Sequence, residues 1–239
     1  MARLRLSRRA TLLGAATVLA TPRVRAQAPI RLVIAGGGFG GASAARSARD
    51  RFTGVEVTLI ERSCPFMTSP YGNLVLGGKR RIEEISFTYD GLTRRGVRVV
   101  HDSATAIDAQ GKTVRLAGGA AVSFDRLIVS PGIELRWGAI EGYDEAASAR
   151  MPHGWLPGSQ PVSVIERQLR DMPDGGTFIM AIPDNPFRCP PRPYERISMV
   201  AHSFKEAKPR AKLLALDAKG GRPPSSRSSR MAGASATPA

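Results

Sequence analysis

Several things are scarce in this chain of 239 residues, and each scarcity narrows what it can do. There are 3 histidines and 2 cysteines. His101, His153 and His202 are scattered, with no Cys/His or H-x-x-x-H spacing, so no metal site is indicated. No G-x-S-x-G elbow is present, which removes the usual signature of a serine hydrolase. No apolar run reaches the roughly 20 residues that cross a bilayer as a helix. The run from Ala10 to Ala20 would rise only about 16 Å. Acid is scarce as well: 20 Asp+Glu stand against 35 Lys+Arg, a formal net charge of +15. Such a balance suggests nucleic acid or an anionic surface, but its distribution argues otherwise. Residues 1–26 hold six arginines and residues 219–239 one lysine and three arginines, both without acid. With those ten charges set aside from the +15, the body keeps +5, ordinary for a soluble domain. The chain as a whole is 42% hydrophobic and 23% charged, apolar enough for a packed core.

The basic start has a direction to it. Ser7-Arg8-Arg9-Ala10-Thr11-Leu12-Leu13 resembles a twin-arginine export signal, although Thr11 stands where an aromatic residue is usual. Val24-Arg25-Ala26 offers small residues to a signal peptidase, which would leave Gln27 as the mature start. An ordinary basic, apolar first helix is the competing reading. Export by this route carries proteins already folded around a cofactor, so a periplasmic redox protein is expected.

At the mature start the chain changes character. Ile30-Arg31-Leu32-Val33-Ile34-Ala35 reads as a buried strand. It runs into Gly36-Gly37-Gly38-Phe39-Gly40-Gly41, and Ala42-Ser43-Ala44-Ala45 opens a helix of small side chains. Gly36, Gly38 and Gly41 fit G-x-G-x-x-G: the first permits a tight turn, the second lets pyrophosphate approach, and the third lets helix and strand pack closely. The helix N-terminus adds N–H groups and the positive end of a dipole for phosphates. A second strand, Val55 to Ile60, ends at Glu61, 20 residues after Gly41. That acid can accept both ribose hydroxyls and would repel a 2′-phosphate. Strand, glycines, helix, strand and acid in register mark a dinucleotide fold rather than a glycine-rich turn.

Three short strands, Ala104–Asp108, Lys112–Leu116 and Ala120–Phe124, follow with turns at Gln110-Gly111 and Gly118-Gly119 and predict an antiparallel meander. The chain then returns through Leu127-Ile128-Val129 to Ser130-Pro131-Gly132. This layout resembles two-dinucleotide-domain flavoproteins. The resemblance implies FAD rather than NAD in the first cradle, Ala104 against the adenine, and Gly132 near the dinucleotide.

The second half starts as another nucleotide unit. Val162–Met172 suits an amphipathic helix, Thr177–Ile182 a strand, Glu195–Lys205 a helix and Lys212–Asp217 a strand. Where relatives carry a glycine cradle for NADH, this chain has Pro183-Asp184-Asn185-Pro186-Phe187-Arg188-Cys189-Pro190-Pro191-Arg192-Pro193. Prolines offer no N–H to a phosphate, so no nicotinamide nucleotide is expected there. Tyr89-Asp90-Gly91-Leu92, Val99-Val100-His101-Asp102-Ser103-Ala104-Thr105, Ser130–Leu135 and Pro186–Pro191 together resemble the flavoprotein subunit of flavocytochrome c sulfide dehydrogenase, a family related to sulfide:quinone oxidoreductases. The resemblance runs from about Arg31 to Asp217. It implies an FAD enzyme that oxidises sulfide, a small inorganic sulfur substrate, in the periplasm and passes electrons to a c-type cytochrome. It also implies that Cys189 is half of a redox-active disulfide beside the flavin. The bland alternative for Cys189 is an inert thiol. A Cys64–Cys189 disulfide is left open.

Two features depart from that family. Where relatives attach FAD through a cysteine, this chain has Ser69, whose hydroxyl lacks thiolate nucleophilicity, so FAD is expected to be non-covalent. Cys64 lies five residues too early to substitute. The second departure is length, since a complete enzyme of this type runs to about 400 residues. After Lys219 the composition turns to Gly, Pro, Ser and Arg without apolar periodicity, as expected of a disordered tail and a premature end. A basic tail for RNA or membrane is the alternative. The expected organisation is an export signal over 1–26, an FAD-binding domain over 27–160, a partial second nucleotide-type domain over 161–218 and a tail over 219–239. The expected fold is α/β, Rossmann-like with an inserted meander and the start of a second such unit. Neither nucleic acid nor a transmembrane segment is expected. A non-catalytic fragment that binds FAD weakly, and a related quinone-using flavin reductase, stand as rival readings.

Overall fold

A computed structural model describes residues 28–153 and 159–219. The expected export signal, and the tail beyond Lys219, lie outside the described residues.

Strand β1 (Ile30–Ala35) ends with Val33, Ile34 and Ala35 buried, as a strand covered on both faces requires. Helix α1 (Phe39–Arg51) buries Gly41, Ala45 and Ala48, one small-residue stripe at helical spacing that lets it lie close on the sheet. Arg49 and Arg51 in its last turn complement the negative end of the helix dipole. Strand β2 (Val55–Ile60) returns parallel to β1 in register from Ile30↔Val55 to Ala35↔Ile60. An excursion follows: β3 (Phe66–Met67), α2 (Gly72–Leu76), a 3-10 turn (Ile82–Ile85) and β4 (Ser86–Phe87), with β3 and β4 antiparallel. A short helix α3 (Asp90–Thr93) leads into β5 (Arg98–Val100).

The antiparallel meander is β6 (Ala104–Asp108), β7 (Thr113–Leu116) and β8 (Ala121–Ser123), as the glycine turns predict. Strand β9 (Arg126–Val129) then closes a four-stranded parallel sheet in the order β5-β2-β1-β9. One face of this sheet packs Ile34, Val57 and Leu59 against Ala45 and Ala48 of α1. The other packs Val33 and Ile60 against Val114, Leu116 and Phe124 of the meander. Helix, sheet and meander therefore form three layers, the expected Rossmann-like α/β class.

The second unit has α4 (Glu145–Ser148) and α5 (Ser159–Asp171) ahead of it, then β10 (Thr177–Ile182), α6 (Arg192–Ala207) and β11 (Lys212–Asp217). Strands β10 and β11 are parallel, with α6 as crossover. Its core is not built from this half alone. Met67, Val75, Leu76 and Ile85 of the excursion pack with Val162, Ile165 and Leu169 of α5 and Val200 and Phe204 of α6. The chain beyond residue 160 is thus packed on residues 67–85.

Candidate active site: a dinucleotide cradle beside a cysteine loop

The three motif glycines meet three different constraints. Gly36 has φ +101°, and a Cβ there would stand 2.0 Å from the Ser130 carbonyl oxygen, so the loop is pressed against the end of β9. At Gly41 a Cβ would stand 1.8 Å from the Gly36 carbonyl oxygen and 3.3 Å from Ile34 Cγ2. Gly38 is different: its φ is −62° and nothing lies within 4 Å of where its Cβ would be. Two of the glycines are required by packing, and the third faces open space at the N-cap of α1. No side chain caps that helix end, so the positive end of its dipole faces the same space.

Glu61 follows β2 and ties the loop down. Its carboxylate accepts from the Gly37 N–H at 2.6 Å and from the Ser63 N–H at 2.7 Å. A carboxylate has about four lone-pair sites, so acceptor capacity for ribose hydroxyls remains. On the other side of Gly37, the Tyr89 hydroxyl donates to its carbonyl oxygen at 2.9 Å. Burial holds the Tyr89 hydroxyl firmly protonated, and the charges of Glu61 and Cys64 push the same way. Gly132, with φ +84°, follows Pro131, whose Cα would lie 3.4 Å from a Cβ on Gly36. Gly36, Gly38, Gly41, Glu61 and Gly132 therefore surround one loop. Ala104 is exposed at the start of β6 and pairs with Leu116, and no described hydrogen bond ties it to that loop.

The residues present fit a dinucleotide. The open space at Gly38 is the place a pyrophosphate needs, and an added methyl group would occupy it. Thr68, in the excursion beyond Glu61, has a buried hydroxyl without a hydrogen-bond partner among the described residues.

Cys189 lies in the loop between β10 and α6. It is an exposed free thiol at φ +59°, a backbone region seldom taken by residues with a side chain. The Arg192 N–H donates to the Cys189 carbonyl oxygen at 3.0 Å and closes a turn onto α6. The Arg192 guanidinium donates to the Ser69 carbonyl oxygen at 2.6 Å. Burial lowers the Arg192 pKa, against an opposing contribution from Cys189 and Glu195. One arginine thus brings the Cys189 loop to Ser69. The two cysteines are not joined to one another.

Behind this tether lies a polar cluster that sequence reasoning missed. Asn73, 1% exposed, donates to Glu195 Oε2 at 2.7 Å and accepts from Arg196 Nε at 2.9 Å. Burial, and then the charge of Arg192, push the Arg196 pKa down to about 10. Nothing in Gly-Asn-Leu-Val-Leu signals a buried amide, because the partner lies more than 120 positions away. Tyr89 did sit in a quoted motif, but its contact with Gly37 spans 52 positions and has no spacing signature.

The second unit differs at the matching place. Asp217 ends β11 much as Glu61 follows β2, yet its carboxylate is taken by the Lys219 ammonium at 2.7 Å and the Tyr194 hydroxyl at 2.5 Å. Lys219 also lies 4.6 Å from the Phe187 ring centroid. A ribose would have to displace a buried lysine, which adds a physical reason to the prolines against a nicotinamide nucleotide there.

Fold and cradle together define a Rossmann-like dinucleotide-binding protein, with a further parallel β-α-β unit after the first. The chain belongs to the pyridine nucleotide-disulphide oxidoreductase family, whose model matches residues 30–152. Residues 162–229 match the model of the sulfide dehydrogenase (flavocytochrome c) flavoprotein chain, central. The flavoprotein chain of that enzyme from Chlorobaculum thiosulfatiphilum is 47% identical over 45 residues, which is 19% of this chain and 94% of that sequence. A sulfide-quinone reductase of Aquifex aeolicus is 29% identical over 119 residues, 49% of this chain and 27% of that protein. The crystal structure of the Aquifex aeolicus sulfide:quinone oxidoreductase superposes with a TM-score of 0.60 at 21% identity, covering 79% of this chain and 43% of that one. Putidaredoxin reductase in its putidaredoxin complex gives 0.62 at 21% identity, covering 87% and 48%. The chain spans less than half the length of each of these solved relatives. The structural likeness establishes the fold.

Proposed function

We propose that this chain is the FAD-binding part of a sulfide-oxidising flavoprotein whose electrons pass to a c-type cytochrome. The observation that carries this reading is the Arg192 tether, which joins the Cys189 loop to Ser69 in the excursion that follows Glu61 of the cradle. Gly38 leaves room for the pyrophosphate, the positive end of α1 faces it, and Glu61 accepts the ribose hydroxyls while repelling a 2′-phosphate. Bound FAD supplies a two-electron acceptor. Ser69 offers no thiolate, so the cofactor is held without a covalent bond. Cys189 is the group we assign to reduced sulfur: it is exposed, its turn is stiffened by prolines, and the Arg192 N–H closes that turn onto its carbonyl oxygen. The twin-arginine-like start supports export to the periplasm with the cofactor in place. A quinone as acceptor is the second reading, favoured by the likeness to sulfide-quinone reductase over 119 residues.

The test is the flavin spectrum of the purified full chain. Bound flavin should bleach with sulfide in the wild type and stay yellow with sulfide in Cys189→Ser. Cytochrome c and a soluble quinone, offered separately, decide the acceptor. Acid precipitation should release all flavin from the polypeptide. A chain that binds no flavin after reconstitution overturns the proposal.

A further inference from the structure

The cradle lies at one end of β1, and the other end of that strand, roughly 16 Å away at about 3.3 Å per residue, has a different surface. There the Ile30 N–H donates to the Gly54 carbonyl oxygen at 2.9 Å, which sets the start of β1 beside the turn that follows α1. Ile30 is 47% exposed and Phe52, the C-cap of α1, is 60% exposed. The turn between α3 and β5 belongs to the same surface: Arg49 Nε donates to the Arg95 carbonyl oxygen at 3.0 Å, and Asp50 lies 3.4 Å from Arg46 and 3.9 Å from Arg95. Arg51 and Arg94 are exposed here and have no ion-pair partner among the described residues.

The acids of this end are largely engaged. Asp50 is shared between two arginines and Asp125 is held by Arg31 at 2.9 Å, while Glu56, across from Arg31 in the strand register, has no ion pair among the described residues. What projects is an exposed aromatic ring and an exposed isoleucine among unpaired guanidinium groups.

We propose that this pole is a docking surface for anionic lipid headgroups, on which the protein rests peripherally with its dinucleotide cradle turned away from the bilayer. Guanidinium groups pair bidentately with phosphate, and basic residues near an anionic leaflet attract it over about a Debye length. An aromatic ring amid such charges settles at headgroup depth, where its apolar body is shielded and the arginines stay hydrated. An acidic protein would satisfy the charges but gives no reason for Phe52 and Ile30 to be bare, so the lipid surface is favoured. The inference stands apart from the proposed redox chemistry, and flavin need not be bound for it to be tested.

The experiment is flotation of the full chain with vesicles of phosphatidylcholine alone or with about a third phosphatidylglycerol, at about 0.15 M salt. Flotation separates bound protein from aggregates, which sink. Binding is expected to the anionic vesicles only. The double variant Arg51→Gln/Arg94→Gln should lower the partition coefficient on the order of 25-fold, about fivefold per arginine. Phe52→Ser should lower it several-fold at unchanged net charge. A second double variant, Lys79→Gln/Arg80→Gln in the turn after α2, removes the same charge elsewhere and should change it by no more than about twofold. No binding to anionic vesicles, equal binding to neutral ones, or equal losses in the two double variants would each overturn the proposal. The first of these outcomes is the one an acidic protein partner would produce.

Discussion

Gly38→Ala and Gly41→Ala add the same methyl group to the same motif, three residues apart, and should fail in opposite ways. At position 41 the new Cβ would stand 1.8 Å from the Gly36 carbonyl oxygen, a backbone atom that no side-chain rotation can move. Relief requires the glycine loop and α1 to part by roughly 1 Å, which loosens Ala45 and Ala48 from the sheet. Overpacking of this kind costs about 1–3 kcal/mol, and a backbone clash belongs at the upper end. A cost of about 3 kcal/mol lowers Tm by roughly 6–12 °C for a protein of this size. At position 38 the backbone sits at φ −62° and ψ −168°, which any residue adopts, and there is nothing to strike. Alanine for glycine at an N-cap changes stability by no more than about 1 kcal/mol, so the Tm of flavin-free protein should fall by less than about 4 °C. The methyl group does occupy the space a pyrophosphate needs, and flavin affinity should fall on the order of tenfold or more. Thermal melts must be run on flavin-stripped protein, because bound ligand itself raises Tm by mass action. The flavin-to-protein absorbance ratio after gel filtration gives the second readout. Equal melting losses in the two variants, or a full flavin ratio in Gly38→Ala, would refute the division of labour between these glycines.

Other expectations follow from the contacts around the cradle. Asn73→Ala withdraws a donor from Glu195 and an acceptor from Arg196 in a buried site, and should cost about 3 kcal/mol by urea titration; a loss under about 1 kcal/mol would show the cluster to be dispensable. Tyr89→Phe removes one neutral hydrogen bond to Gly37, so stability should fall by about 1 kcal/mol while the flavin ratio stays close to wild type, unless the tyrosine itself touches cofactor. Arg31, first by its side-chain hydrogen bond, holds the exposed Asp125 carboxyl well below the usual carboxylate range. A depressed carboxyl stabilises the fold at pH values above its unfolded pKa, and that stability is lost as pH falls below about 4. Melting curves of Asp125→Asn should therefore decline less steeply than wild type across that acid range, and parallel declines would dismiss the pair as a pH-dependent contributor.

The cradle was legible because its signal is local. Strand, glycines, helix and acid lie within 32 residues, and each glycine is required by a backbone neighbour or by open space at a fixed offset. The meander was legible for a similar reason, since paired glycines mark its turns and its strands adjoin in sequence. The shared second core was not. Val75, Leu76 and Ile85 occur in short apolar stretches without a sustained period, and their partners on α5 and α6 are far along the chain. Nor does a sequence reveal that a buried asparagine will meet Arg196, or that Arg192 will reach back to Ser69. Local chemistry announced the cradle, and long-range packing decided which loops stand beside it.

That shared core also sets a schedule. On a ribosome adding about 5–20 residues per second, roughly 5 to 20 s pass between the appearance of Ile85 and that of Arg192 at the start of α6. Once β9 is complete at Val129 the first unit can close its own three layers, while Met67, Val75, Leu76 and Ile85 still wait for α5 and then α6. The nascent chain therefore carries a sticky hairpin-sized segment on an otherwise finished domain. A chaperone that grips short apolar stretches would find residues 67–85 open for as long as α6 is unmade, and would be displaced when it arrives.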